Sequence, residues 1–128
     1  YNQLYFSNNP NTPRPEKVSE QDINLGYKIY PDGIVFYQPD SDLFYIEVSV
    51  HIFKKRADFD TYSTLQSTPL IMHFDDVWAH SISTEAYKFK PRHFRPGNYE
   101  VNFNQYTHPR PDSSSANRLY HIALYPID

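Results

Sequence analysis

LFYIEVSVHIF, residues 43–53, is the stretch that decides the fold, because apolar and polar side chains alternate along its length. A period of two is that of a β-strand with one buried face. We therefore predict a strand over Leu43–Phe53 whose core face carries Phe44, Ile46, Val48, Val50 and Ile52. The opposite face then carries Tyr45, Glu47, Ser49 and His51.

Shorter segments on both sides of this stretch also indicate strands. They are Ile23–Tyr30, Ile34–Tyr37, Pro69–Val77, Ala86–Lys90, Tyr99–Phe103 and Arg118–Tyr125. The chain has 12 Tyr and 9 Phe, which suit a pleated sheet, and its 11 Pro against 3 Gly indicate turns made by Pro, Asp and Asn. No segment has helical periodicity over ten or more residues. The sequence predicts an all-β fold, an antiparallel β-sandwich or jelly-roll-like barrel of about seven or eight strands.

The first seventeen residues indicate a boundary between domains. Leu4-Tyr5-Phe6 is a short aromatic strand, and the prolines at 10, 13 and 15 follow it among polar residues. Proline has no N–H donor and favours extended backbone, so this run has the composition of a semi-rigid spacer. We predict that residues 1–17 are the end of a preceding domain plus a proline-rich linker, and that residues 18–128 form the β-domain. Tyr1–Phe6 would then not pair with that domain's own sheet.

Charge and composition exclude several classes of function. The net charge is −3, from 12 Lys and Arg against 15 Asp and Glu, so we expect no nucleic acid to bind through this domain. No apolar run reaches eighteen residues, so we expect no membrane insertion. Cysteine is absent, which excludes disulfides and thiol chemistry. We expect no cofactor.

No motif indicates an enzyme. His80 and Ser81 are adjacent, and adjacent residues on a strand point to opposite faces, which is poor geometry for a base and its nucleophile. His73 and Asp75 share a strand face while Asp76 points away, a pattern too common to assign a metal site. We therefore predict no catalytic residue and no metal site, and leave open whether an ion binds near His73 and Asp75.

The one basic patch consists of Lys88, Lys90, Arg92, His93 and Arg95, interleaved with Tyr87, Phe89 and Phe94. Such a run suits single-stranded nucleic acid or anionic glycans, although lysines on a strand also protect a sheet edge from pairing. Three polar loops, Lys54–Ser67, Pro91–Asn98 and Thr107–Asn117, are candidates for attachment to a partner. Their candidate contact residues are Lys54, Lys55, Arg56, Arg92, His93, Arg95, His108 and Arg110.

The number of tyrosines exceeds what sheet packing alone requires. Tyrosine is enriched at protein interfaces because its ring buries area while its hydroxyl stays hydrated. We place Tyr45 and Tyr120 on an outward sheet face and predict that they belong to a homodimer interface.

Three parts of the chain together resemble a known family. They are Leu4-Tyr5-Phe6, the run Asn8-Asn9-Pro10-Asn11-Thr12-Pro13-Arg14-Pro15, and the last strand, Leu119–Tyr125. This layout resembles the protruding domain of small icosahedral RNA virus capsid proteins, most of all that of prawn and shrimp nodaviruses. The resemblance implies a non-enzymatic, dimeric spike on the virion surface, folded and assembled in the host cytoplasm, which binds a host receptor or glycan. In that family the calcium sites and the RNA-binding arm belong to the shell domain.

Two alternatives remain open at this point. A carbohydrate-binding β-sandwich module appended to a larger enzyme would have a similar linker, although such modules usually expose several tryptophans and this chain has only Trp78. The mature domain of an exported bacterial protein is the other alternative.

Overall fold

The computed structural model describes residues 2–11, 19–38, 43–54, 70–81, 85–109 and 116–127. Within these residues the chain forms β1 (Asn2–Ser7), α1 (Glu20–Leu25), β2 (Tyr27–Tyr30), β3 (Gly33–Gln38), β4 (Leu43–Ile52), β5 (Leu70–Phe74), β6 (Val77–Ser81), β7 (Tyr87–Phe89), β8 (Gly97–Pro109) and β9 (Ala116–Ile127). A five-stranded sheet has the order β2-β3-β1-β6-β7, and a four-stranded sheet has the order β4-β9-β8-β5. The prediction of an all-β, sandwich-like fold is confirmed, with nine strands in the described part of the chain.

The chain divides into two compact units. The first comprises Tyr1–Ser41 and His73–Lys90, and the second comprises Asp42–Met72 and Pro91–Asp128. In the described residues α1 is too short to cross a membrane, and no other helix is long and apolar enough to do so.

Strand β1 is the central strand of the first sheet. It pairs antiparallel with β3 on one side and with β6 on the other. Leu4, Tyr5 and Phe6 are only 8, 2 and 0% exposed. The prediction that residues 1–6 are the tail of a preceding domain is therefore wrong for Asn2–Ser7, whose backbone is held on both edges by this chain's own strands. Residues 12–17 of the predicted linker lie outside the described part.

The segment Ile23–Tyr30, predicted as one strand, is divided between a helix and a strand. Ser19 and Asp22 form a capping box, in which each side chain bonds the other residue's backbone N–H. Gly26 ends the helix with φ of 86°, and its N–H donates to the carbonyl of Asp22. The capping box and the Gly26 cap decide the local structure, because they satisfy backbone N–H and C=O groups at the two ends of the helix. An alternation of apolar residues does not by itself satisfy any backbone group.

The second sheet is mixed and not purely antiparallel. β4 pairs parallel with β9, whereas β9 pairs antiparallel with β8. The ladder between β8 and β9 extends to the pair Pro109 and Ala116, so residues 107–109 and 116–117 of the loop predicted over Thr107–Asn117 are in strands. Residues 110–115 of that loop lie outside the described part.

The buried face of the second sheet contains Tyr120. Tyr120, Ile122 and Leu124 are each 0% exposed and lie opposite Val48, Val50 and Ile52 of β4. The prediction that Tyr120 faces outward is wrong, because its side chain is 0% exposed. β4 is an edge strand: Val48, Val50 and Ile52 of its predicted core face are half-buried, and Ile46 is 37% exposed.

Candidate functional site

The His73 and Asp75 pair forms as the alternation predicts. The imidazole Nε2 of His73 lies 3.1 Å from Oδ1 of Asp75, while Asp76 pairs with Lys88 at 3.2 Å. The described residues contain no group of three His, Asp or Glu side chains that could hold a metal ion. This pair therefore lacks the further protein ligand that a built metal site would need.

Residues 91–97 present three of the predicted attachment residues. The side chains of Arg92, His93 and Arg95 are exposed, and His93 has a positive φ of 69°. The buried Tyr99 holds this loop, because its hydroxyl accepts from the Arg95 N–H at 3.1 Å and donates to the Arg95 carbonyl. The ring of Phe94 packs edge-on against Tyr99, with 5.6 Å between centroids. The loop is thus held by a core residue, and its basic side chains point to solvent.

The other predicted site residues are not assembled with this loop in the described part of the chain. Lys54 is exposed, and Tyr120 is buried. Lys55, Arg56 and Arg110 lie outside the described residues, as do the side chains of Tyr45 and His108.

Two asparagines connect turns at one end of the first unit. The Asn8 N–H donates to the Asp32 carbonyl at 3.1 Å, and its side-chain amide donates to the His73 carbonyl at 2.9 Å. The Asn9 amide donates to the Asp32 carboxylate at 3.1 Å. The turns that follow β1 and β2 are therefore joined to each other and to the end of β5 in one hydrogen-bonded group.

This group of turns presents carboxylates to solvent, and we call Asp32, Asp75 and Asp76 the acidic end. Asp32 is exposed, and the side chains of Asp75 and Asp76 are 81 and 46% exposed. Lys88 neutralises Asp76 in part. The sequence alone does not indicate this surface, because Asn8 and Asn9 precede Pro10 in a run that has the composition of a linker. The Asn-Asn-Pro and Pro-Asp-Gly turn signals were the available clue.

One face of the first sheet carries a layer of buried polar aromatic side chains. Tyr5, Tyr37 and His80 are each at most 3% exposed, and the rings of Tyr5 and His80 lie 5.3 Å apart. Burial, followed by the proximity of Tyr30, raises the pKa of Tyr5 and that of Tyr37. Burial lowers the pKa of His80, whose two ring nitrogens have no hydrogen-bond partner. The layer is therefore uncharged near neutral pH.

This layer does not provide a small-molecule site. Beside it, Tyr5, Tyr30 and Gly33 line a depression that is too shallow to enclose a water molecule. Gly33 permits the close approach of β3 to β1, since a Cβ there would lie 2.6 Å from the Phe6 carbonyl oxygen. Enclosed ligand sites are normally several hundred Å³ in volume.

Comparison with known proteins finds a similar structure but no similar sequence. No protein-family profile matches the chain, and no curated protein sequence matches it. Its fold is similar to the crystal structure of ComJ from Bacillus subtilis, an inhibitor of the DNA-degrading activity of NucA, with a TM-score of 0.60. The match covers 97% of this chain and 89% of that one at 16% sequence identity. At this identity the likeness shows the fold alone.

Proposed function

We propose that this chain is a non-enzymatic protein that binds another protein, and that its partner is a DNA-degrading enzyme which it inhibits. The observation that carries the proposal is the likeness to ComJ, because it extends over nearly the whole of both chains. The support is an analogy at the level of fold, and charge adds a second reason.

The acidic end suits a partner that binds DNA. Enzymes that act on DNA present basic surfaces to phosphate groups. A protein with net charge −3 that exposes Asp32 and Asp75 is attracted to such a surface, whereas DNA itself is repelled. Binding there would exclude the substrate without any chemical step.

The capsid-spike and sugar-binding hypotheses remain predictions with less support. The spike hypothesis relied on β1 being the tail of another domain, and β1 is the central strand of this chain's first sheet. A sugar-binding module needs an open aromatic platform. Trp78 is half-buried, with the Lys88 ammonium 5.9 Å from the centroid of its ring.

The test measures degradation of double-stranded DNA by Bacillus subtilis NucA while the purified chain is titrated into the reaction. We expect inhibition that saturates as the chain reaches stoichiometric excess over the enzyme. Asp75→Lys should weaken inhibition roughly tenfold or more, because it reverses the charge of an acidic-end side chain that is 81% exposed.

Glu85→Lys is the matched control. Glu85 is exposed and precedes β7, and the register Ala79–Tyr87 and Val77–Phe89 puts it at the opposite end of the β6–β7 pair from Asp75. It makes the same change in net charge, so inhibition should be nearly unaffected. No inhibition at a large excess of the chain would contradict the proposal, and equal effects of the two variants would refute the role of the acidic end.

A further inference from the structure

Strand β4 has a neighbour on one side only among the described strands. It ends the order β4-β9-β8-β5, and no strand in the described part of the chain pairs with the backbone groups on its other side. The other long strands, β8 and β9, lie inside the sheet. In the first sheet the edge strands β2 and β7 carry Lys28 and Lys88, the residue type that usually protects an edge. The stretch Ile46–Ile52 has no Lys, Arg or Pro.

The backbone of β4 shows which residues have N–H and C=O groups that point away from β9. The Phe53 N–H donates to the Leu124 carbonyl of β9 at 2.9 Å. Because backbone groups of alternate residues in a strand point to the same side, those of His51, Ser49 and Glu47 point toward β9. The N–H and C=O groups of Ile46, Val48, Val50 and Ile52 therefore point outward.

The side chains of this stretch are self-complementary about Ser49. In the order Ile46-Glu-Val-Ser-Val-His-Ile52, residues at equal distances before and after Ser49 are matched in character. The isoleucines match each other, the valines match each other, and Glu47 matches His51. Glu47 and His51 are both exposed, and Ile46 is 37% exposed. An antiparallel copy of the strand with its two-fold axis at Ser49 would place Glu47 opposite the partner's His51.

We propose that two copies of this chain associate through β4, antiparallel and with the two-fold axis at Ser49. The outward-facing residues then meet as bonded pairs, Val48 with the partner's Val50 and Ile46 with the partner's Ile52. Four such pairs give about eight backbone hydrogen bonds. The two four-stranded sheets become one continuous sheet, and both β4 edges are covered. This surface differs from the predicted interface at Tyr45 and Tyr120, which is untenable at Tyr120 because that residue is buried.

Cysteine cross-linking tests the register directly, because the chain has no cysteine of its own. Ser49 faces the partner's Ser49 in a non-bonded pair, with Cα atoms about 4.5 Å apart, a separation that a disulfide spans. Ser49→Cys should therefore form a covalent dimer rapidly under mild oxidation. Glu47→Cys is the matched control, since the two copies of position 47 lie about 13 Å apart along the strands. It should cross-link far more slowly.

Charge exchange tests the same contact without a covalent bond. Sedimentation across a concentration series should show a monomer–dimer equilibrium in the unmodified chain. Glu47→Lys and His51→Glu should each weaken association, by about three- to thirty-fold for the two symmetric contacts. The double variant should restore it, because the new lysine faces the partner's new glutamate.

Circular dichroism of each variant confirms that the monomer is folded, since both substituted side chains are exposed. A purely monomeric chain at all concentrations would overturn the proposal. Equal rates of cross-linking at positions 47 and 49 would also overturn it. So would a dimer whose dissociation constant is unchanged in the charge-exchange variants, because that dimer would form through another surface. The DNA-degradation assay is independent of these measurements, so failure of the dimer and failure of the inhibitor proposal are distinguishable.

Discussion

Replacing Phe6 by alanine tests whether β1 belongs to this fold. Phe6 is 0% exposed, lies directly opposite Ile34 on β3 and Ala79 on β6, and its ring is 5.7 Å from that of Phe74. Removing a buried phenylalanine side chain costs about 3–5 kcal/mol, as lost transfer free energy plus the cavity that remains. This is a large part of the roughly 5–15 kcal/mol that stabilises an ordinary domain.

Urea denaturation followed by Trp78 fluorescence measures this loss, because Trp78 lies on β6 opposite Ser7 of β1. With a denaturant slope of about 1.5 kcal/mol/M, the midpoint of Phe6→Ala should fall by about 2–3 M. Ile71→Ala is the control, since Ile71 is 63% exposed on the edge strand β5 and should cost less than about 1 kcal/mol. If Phe6→Ala cost no more than Ile71→Ala, β1 would not be an integral strand.

Three further changes have defined outcomes in the same denaturation assay. Gly33→Ala should lower the free energy of unfolding by about 1–3 kcal/mol, because the new Cβ would lie 2.6 Å from the Phe6 carbonyl oxygen, a backbone atom that cannot rotate away. An unchanged urea midpoint would refute this close contact. Burial lowers the pKa of His80, so the unfolded chain binds a proton more readily than the folded chain as the pH falls through about 6.5, and the free energy of unfolding should decline below that pH. The free energy of unfolding of His80→Phe should decline less over the same pH range. Parallel plots of this free energy against pH for the two proteins would contradict the role of His80. Tyr99→Phe should lower the free energy of unfolding by about 1–2 kcal/mol and speed proteolysis of residues 91–97, because the Arg95 N–H and carbonyl lose the hydroxyl that bonds both of them. An unchanged rate of proteolysis would show that other contacts hold the loop.

Alternation in the sequence was enough to predict the strand class and much of the core. Val101, Phe103, Ile122 and Leu124 are buried, as the alternation predicts. Asn102, Asn104 and Ala123, which have the opposite parity, are buried as well, so both faces of these strands are covered here. Alternation therefore does not predict which tyrosines are exposed: Tyr120, expected on an outward face because tyrosines exceed what sheet packing requires, is 0% exposed.

Pairing between distant segments was not predictable in the same way. β1 pairs with β6, more than seventy residues away, and nothing in Leu4-Tyr5-Phe6 specifies that partner. The acidic end is assembled by the Asn8 amide, whose acceptor is sixty-five residues along the chain. The helix α1 is different, because its signals are local. Ser19, Asp22 and Gly26 are helix-end signals visible in the sequence, but they overlap the apolar alternation from Ile23, which predicts a strand.

The position of β1 bears on the predicted domain boundary at residue 18. Strand β1 and helix α1, which lie on either side of residues 12–18 in the sequence, both belong to the first compact unit. A separate domain that begins at residue 18 would divide that unit.

The two proposed contacts lie in different units, since the acidic end is in the first unit and the β4 edge is in the second. Asp75→Lys should therefore weaken inhibition without dissociating the dimer. Glu47→Lys should weaken dimerisation without weakening inhibition. If either variant lost both inhibition and dimerisation, one surface would serve both contacts.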